Sequence, residues 1–391
     1  MKKLLFVYPS MGVGGSTTSL LSLLNELDYS KYSVDMLMFQ EPGKLANEIP
    51  SQVNILPAAY RSMVPFKLRK RMSIHCWKAV LTSKIPLQRS QLIAQASAKF
   101  CRSLDNEYDV AVAFLECWPL YYLSTKVNAK KKVCWIHVNY KEASFEPDFD
   151  RYYVKKMDKF VLVSDSCAEN FKICFPEIAE RVETIPNILS SKTVRNRSLE
   201  SVCEIDWLRY KETIKFISVC RLDCSHKGLD RAIKAFKRIV DNFNGVLPRN
   251  FVWFIIGGGK DEEMLRKMIE NFSLNKYILM LGEKMNPLVY VRNCDVFLLP
   301  SRYEGKPMAV TEAQMLGLVL AVTNYSSAHE QIRHQIDGII AENNDEAIYE
   351  MLKEFISGEV KIEKLKECAI SSDYSNLSDM MRVNRILEGS I

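Results

Sequence analysis

The sequence predicts an α/β protein of two domains, each built on a doubly wound parallel sheet. Three observations carry this. Short, unbroken apolar runs recur along the 391 residues, as expected of strands buried on both faces. The segments between them are long enough for crossover helices. The alternation then restarts after a polar, serine-rich stretch at 187–211, which argues for two consecutive sheets rather than one closed barrel.

In chain order, the first strand is LLFVY (4–8), followed by a turn holding Gly14 and Gly15 and a helical pattern over 17–27. This is a strand, glycine loop, helix unit. Further strands are predicted at 34–39, 109–114, 132–137, 159–164 and 182–186. The second series runs through a strand at 214–219, a helix at 228–242, a strand at 251–256 and a helix at 261–271. Strands at 277–281 and 295–300, a helix at 308–317 and a strand at 318–323 complete it. The domain boundaries are therefore set at 1–190 and 191–372. The tail, 373–391, has apolar residues at 377, 380, 381, 383, 386 and 387, a helical face that needs a partner and is expected to pack back on the first domain.

Composition excludes several classes. With 48% hydrophobic and 26% charged residues the chain is neither disordered nor low in complexity. The apolar run in MKKLLFVYPS is too short for a signal peptide, and no run approaches the ~20 residues of a membrane span, so a cytoplasmic protein is expected. Eleven scattered cysteines form no disulfide framework. Cys220 and Cys224, with His226 nearby, fall short of a complete zinc ligand set, and neither metal nor cofactor is expected.

The net charge of +6 lies wholly in the first half: residues 1–190 hold 25 Lys and Arg against 19 Asp and Glu, the remainder 28 against 28. No acidic residue occurs between Glu48 and Asp105, while ten basic ones do. Within this gap Leu68, Met72, Cys76 and Val80 recur every four residues, with Trp77 and Leu81 alongside and Lys67, Arg71 and Lys78 towards another face. Such a cationic amphipathic helix predicts peripheral contact with an anionic membrane through 61–102; the plainer alternative is a domain helix with solvated bases. Nucleic acid is not expected, because no recognition motif accompanies the charge.

Two segments carry chemistry. In PSRYEGKPMAVTEAQMLG (300–317) a strand ends at Pro300, and Glu304 and Glu312 flank a helix start at Pro307. The unpaired N–H groups there, over residues 305–309, suit an anion, and the two carboxylates suit hydroxyls on either side of it. In CRLDCSHKGLDRAIKAF (220–236) Arg221 ends a strand and Lys227 precedes a helix. Cations at the C-terminal edge of a parallel sheet face its ligand crevice and can neutralise a diphosphate without a metal. GGGK (257–260) lacks the Gly-Lys-Ser/Thr ending of a phosphate loop and reads as a turn.

These segments resemble glycosyltransferase family 4, a retaining group of GT-B fold in which two Rossmann-like domains face each other across a cleft. Its E-x7-E pattern falls on Glu304 and Glu312, its Arg and Lys on Arg221 and Lys227, its glycine turn on GGGK and its N-terminal glycine loop on Gly14 and Gly15. The chain departs from the pattern at Cys220, Ser16–Thr17, Ile188 and Lys306. The resemblance implies that Glu312 holds the ribose, Glu304 the donor sugar, and Arg221 and Lys227 the diphosphate, helped by backbone N–H groups of Met308 and Ala309. The base would rest near Gly282 and Lys284, with Gly257 in the glycine turn close to the nucleotide. Gly14 and Gly15 would admit the phosphate closely, and His137, flanked by Trp135 and Tyr140, would reach the sugar. Asp148 and Asp150 form the D-x-D signature of the other major glycosyltransferase fold, but they sit in a loop-like stretch and read as solvent-facing.

The implied function is a metal-independent, retaining transfer of a sugar from a nucleoside diphosphate donor, UDP foremost, to a glycan or lipid-linked acceptor in polysaccharide assembly. Front-face attack, with the leaving phosphate taking the acceptor proton, is the expected route. A nucleotide-sugar epimerase or hydrolase on the same fold, or a non-catalytic partner subunit, are the competing readings.

Overall fold

A computed structural model of the chain describes residues 1–82, 86–201 and 204–389. The chain divides into two units, Met1–Ile188 with Asn376–Ile391, and Leu189–Ser375. Each is a Rossmann-like domain with an all-parallel sheet.

The first unit holds β1 (Lys2–Tyr8), β2 (Tyr32–Met38), β3 (Val53–Ile55), β4 (Glu107–Ala113), β5 (Asn128–Ile136), β6 (Lys159–Leu162) and β7 (Val182–Thr184). They pair in the order β3-β2-β1-β4-β5-β6-β7. The chain winds outward from β1 to β3 and returns to β4 on the other flank of β1, so the loops after β1 and β4 border the switch point where ligands of such sheets bind. Leu4, Leu5, Phe6 and Val7 are fully buried, which is why an unbroken apolar run marks this strand. The helix after β1 spans Gly15–Asn25, so Gly15 opens the helix instead of belonging to the turn.

From the tail, the helix Met380–Leu387 buries Met380, Val383, Ile386 and Leu387 in this unit's core, while Leu377 and Met381 stay exposed. Arg382 fastens it to Glu183 and to the Thr184 carbonyl.

The second unit holds β8 (Ile214–Val219), β9 (Phe251–Ile256), β10 (Ile278–Gly282), β11 (Val296–Leu299), β12 (Val319–Thr323) and β13 (Gly338–Ala341), ordered β10-β9-β8-β11-β12-β13. Its switch point lies between β8 and β11. The helix Leu229–Asn242 buries Leu229, Ala232, Ile233, Ala235, Phe236 and Ile239 along one face, the 3.6-residue period that made it legible.

Three expectations need correction. The periodicity missed β3 and β13, both short edge strands: only Val53 of β3 is buried, and Gly338 opens β13 because a Cβ there would meet Leu320 at 2.7 Å. Asp150 does not face solvent. It lies on the helix Pro147–Val154 at 1% exposure, accepting hydrogen bonds from Tyr121, Tyr140 and, at 2.9 Å, Gln91. A carboxylate can be buried here because three donors replace its water; Asp148 alone is solvated.

The basic helix Phe66–Thr82 is the third correction. Of the predicted apolar face, Met72 turns into the core and the Cys76 Sγ lies near Ile93 and Ser97 of the next helix, whereas Trp77 and Leu81 do not turn inward. A second stripe looks outward: Phe66, Ile74, Trp77 and Leu81 are all more than half exposed, among exposed Lys67, Lys70, Arg71 and Lys78. The side chain of Val80 and residues 83–85 lie outside the described residues.

Candidate active site

A polar cluster of the second unit forms where β8 and β11 end. The loop after β8 carries Arg221 and a short helix, Cys224–Lys227, closed by Gly228. Gly228 has φ of +63°, and a Cβ there would stand 2.2 Å from the Pro300 carbonyl oxygen. Only glycine lets the two loops approach this closely. Arg302 N–H donates to the His226 carbonyl at 2.8 Å, tying the loop after β11 to the same helix. Gly257 packs as tightly after β9, where a Cβ would overlap the Cys220 carbonyl oxygen. GGGK is thus a turn whose glycines seat it against the loop after β8.

At the centre stands Glu304, 5% exposed. Its Oε1 accepts from Lys227 Nζ and from Ser301 Oγ, each at 2.6 Å, while Oε2 lies 3.6 Å from His226 Nε2. Burial alone would raise this carboxyl; the Lys227 ammonium, with help from His226, instead holds it at about 2. It is therefore ionised and accepts hydrogen bonds only. Thr323 of β12 donates to the Ser301 carbonyl and fixes the serine from behind.

Pro307 caps the helix Met308–Met315, whose first turn holds no acidic residue, so the Met308 and Ala309 end stays electropositive. Gln331 Nε2 binds the Pro307 carbonyl at 3.0 Å and Thr311 Oγ1 at 2.6 Å, fixing this terminus. One turn further on, Glu312 is half-buried, and its carboxylate has no hydrogen-bond partner among the described residues. Withdrawal from water pushes its carboxyl up to about 7, against which the charge of Arg197 acts only in part.

Of the predicted residues of the second unit, the structure brings Lys227 and Glu304 into direct contact. Arg221 is exposed, and no carboxylate pairs with it among the described residues. Lys284, just past Gly282 and β10, pairs with Glu204 at 3.0 Å, tying it to the chain segment before β8. Gly282 has φ of +73°, and a Cβ there would meet nothing within 4 Å. Burial raises the thiols of Cys220 to about 12 and Cys224 to about 11, so both are protonated.

In the first unit Gly14 and Gly15 are exposed after β1, and a Cβ on Gly14 would meet nothing within 4 Å. No packing within the chain demands glycine at Gly14. His137 follows β5 with its ring 4.9 Å from that of Phe114. Among the described residues its Nε2 is buried without a hydrogen-bond partner, and burial lowers the imidazole to about 3, leaving it neutral. Its backbone N–H donates to Glu116 Oε2 at 3.3 Å, and desolvation raises the Glu116 carboxyl.

Ser301, Tyr303, His226 and Glu116 were not singled out as site residues from the sequence. Ser301 was the most accessible of them, being a hydroxyl on the first residue past a strand-end proline.

Comparison with known proteins bears on this arrangement. Residues 205–372 match the family described as "Glycosyl transferases group 1". An uncharacterized glycosyltransferase of Methanocaldococcus jannaschii is 23% identical over 332 residues, covering 82% of this chain and 75% of its own. The N-acetylgalactosamine-N,N'-diacetylbacillosaminyl-diphospho-undecaprenol 4-alpha-N-acetylgalactosaminyltransferase of Campylobacter jejuni is 24% identical over 90% of each chain. Among solved structures, Anabaena HepE in complex with UDP and glucose superposes with a TM-score of 0.73 at 15% identity over the whole of both chains. That likeness establishes the fold, GT-B, and nothing finer.

Proposed function

We propose that this chain is a glycosyltransferase of glycoconjugate biosynthesis, which moves a sugar from a nucleoside diphosphate donor to a glycan or lipid-linked acceptor. The observation that carries this reading is the ionised, nearly buried Glu304 paired with Lys227 at the β8/β11 switch point, beside an electropositive helix start. A carboxylate that only accepts hydrogen bonds suits sugar hydroxyls, and cations with backbone N–H groups suit a diphosphate. The Campylobacter relative, by its name, acts on a diphospho-undecaprenol acceptor, which supports a lipid-linked substrate here too.

In detail, Lys227 and Arg221 steady the charge growing on the leaving phosphate, with N–H groups of Met308 and Ala309 adding to it. Such stabilisation is usually the largest catalytic contribution, and one lost cation costs about a hundredfold in rate. Glu304 orients the sugar and Glu312 the ribose. Gly282 and Lys284 border the base, with Gly257 in the glycine turn close to the nucleotide. In the first unit, Gly14 and Gly15 leave room for phosphate and neutral His137 meets the sugar. We assign the chain to family 4, with retention by front-face attack, no metal, and UDP as nucleotide.

A thermal-shift panel of UDP- and GDP-sugars, followed by donor turnover with and without a diphospho-polyprenol acceptor, tests this. Ligand binding raises the melting temperature by mass action. Acceptor-dependent consumption is expected. Equal consumption without acceptor would mark a hydrolase or epimerase, and no stabilisation by any donor would end the reading.

We also place a peripheral contact with the cytoplasmic face of the membrane on the helix Phe66–Thr82. No helix among the described residues is long and apolar enough to cross a bilayer, so the outward stripe of Phe66, Ile74, Trp77 and Leu81 would rest in the headgroup layer. Each neighbouring cation adds roughly 1 kcal/mol. Replacing Lys67, Lys70, Arg71 and Lys78 by Gln should release the protein from phosphatidylglycerol vesicles in a flotation assay; equal flotation by both forms would dismiss the contact.

A further inference from the structure

We propose that His226 is a specificity-determining residue that reads one hydroxyl of the donor sugar jointly with Glu304. This rests on the glycosyl-transfer reading above and names the group its site selects. The two oxygens of Glu304 are not equivalent. Oε1 is occupied by Lys227 and Ser301, whereas among the described residues Oε2 faces the His226 Nε2 alone, at 3.6 Å. That separation is too long for a hydrogen bond, and a hydroxyl entering beside it would bond both atoms, which do not bond each other.

The imidazole is held for such a task. Its ring stacks on Tyr303 with centroids 4.2 Å apart and planes within 6°. The His226 carbonyl is bound by Arg302 N–H. Among the described residues Nε2 is buried without a hydrogen-bond partner, a costly state that a hydroxyl parting it from Glu304 would relieve, and the side chain as a whole keeps 24% of its surface open. A hydroxyl entering this fork donates its hydrogen to Oε2 and accepts the Nε2 hydrogen. An ether or a missing hydroxyl cannot donate, and a protonated amine has no lone pair with which to accept. The fork therefore selects a hydroxyl at one sugar position.

His226→Phe keeps the ring on Tyr303 and removes the nitrogen; His226→Gln restores an N–H donor. Affinity for UDP, and kcat/KM for the best donor of the panel and each of its monodeoxy analogues, should be measured for all three proteins. His226→Phe is expected to bind UDP within twofold of the parent and to lose about tenfold in kcat/KM on the intact donor. It should match the parent on the one analogue lacking the contacted hydroxyl, and His226→Gln should recover part of the loss. If His226→Phe ranks all analogues as the parent does, or loses UDP and every donor equally, the inference fails while glycosyl transfer stands. A chain that binds no donor at all removes both.

Discussion

Glu304→Gln is expected to lower transfer at least about a hundredfold while UDP affinity stays within about twofold or improves. The substitution is nearly isosteric and keeps an acceptor for Ser301, so the loop after β11 retains its shape. What changes is charge. The Lys227 ammonium, 14% exposed, loses its counterion, and breaking a buried pair from one side commonly costs a few kcal/mol. The variant should therefore melt below the parent, and UDP should narrow the difference by supplying the missing anion. Calorimetric titration with UDP, beside single-turnover transfer, separates the effects. Undiminished transfer would remove Glu304 from the reacting centre.

The same residue gives stability a signed dependence on pH. Its folded value of about 2 lies below the ordinary 4.5, so its contribution is fully present above 4.5 and lost as pH falls towards 2.

How far the sequence discloses this molecule follows from where its partners lie. The central strands are legible because both faces are buried, so burial writes itself into a few consecutive residues, as in LLFVY or FVWFII. An edge strand such as β3 has one buried residue and writes almost nothing. Glu304 and Lys227 are legible as charges at strand ends, yet their contact spans 77 positions. The loop crossing that creates it depends on Gly228 fitting beneath Pro300. Asp150 misleads for the same reason. Its donors Gln91 and Tyr121 are 59 and 29 positions away, so locally it is one carboxylate in an acidic stretch. The basic helix shows a third limit: two apolar stripes at helical spacing fit one sequence, and only packing decides which turns inward. The Tyr303–His226 stack has no local signature at all, and Arg221 is placed by topology alone.

Glu312 offers the second large effect, with pH as its lever. Near pH 7 its carboxyl is half protonated in the unliganded chain, because withdrawal from water outweighs Arg197. If ribose hydroxyls donate to the charged form, binding favours loss of that proton and tightens as pH rises. UDP-glucose is the suitable probe, since its diphosphate has no titrating group in this range. Its affinity should rise about tenfold between pH 6 and pH 8. Stability should move the other way: the folded value lies above the unfolded 4.5, so the contribution of this carboxyl is complete below 4.5 and lost as pH climbs through 7. Glu312→Gln should flatten the affinity profile, and Glu312→Ala should weaken UDP-glucose binding roughly a hundredfold, the worth of two hydrogen bonds to a charged group. An affinity indifferent to pH in the parent, or undiminished in the alanine variant, would place the ribose elsewhere and leave a costly half-buried carboxyl without a ligand to account for it.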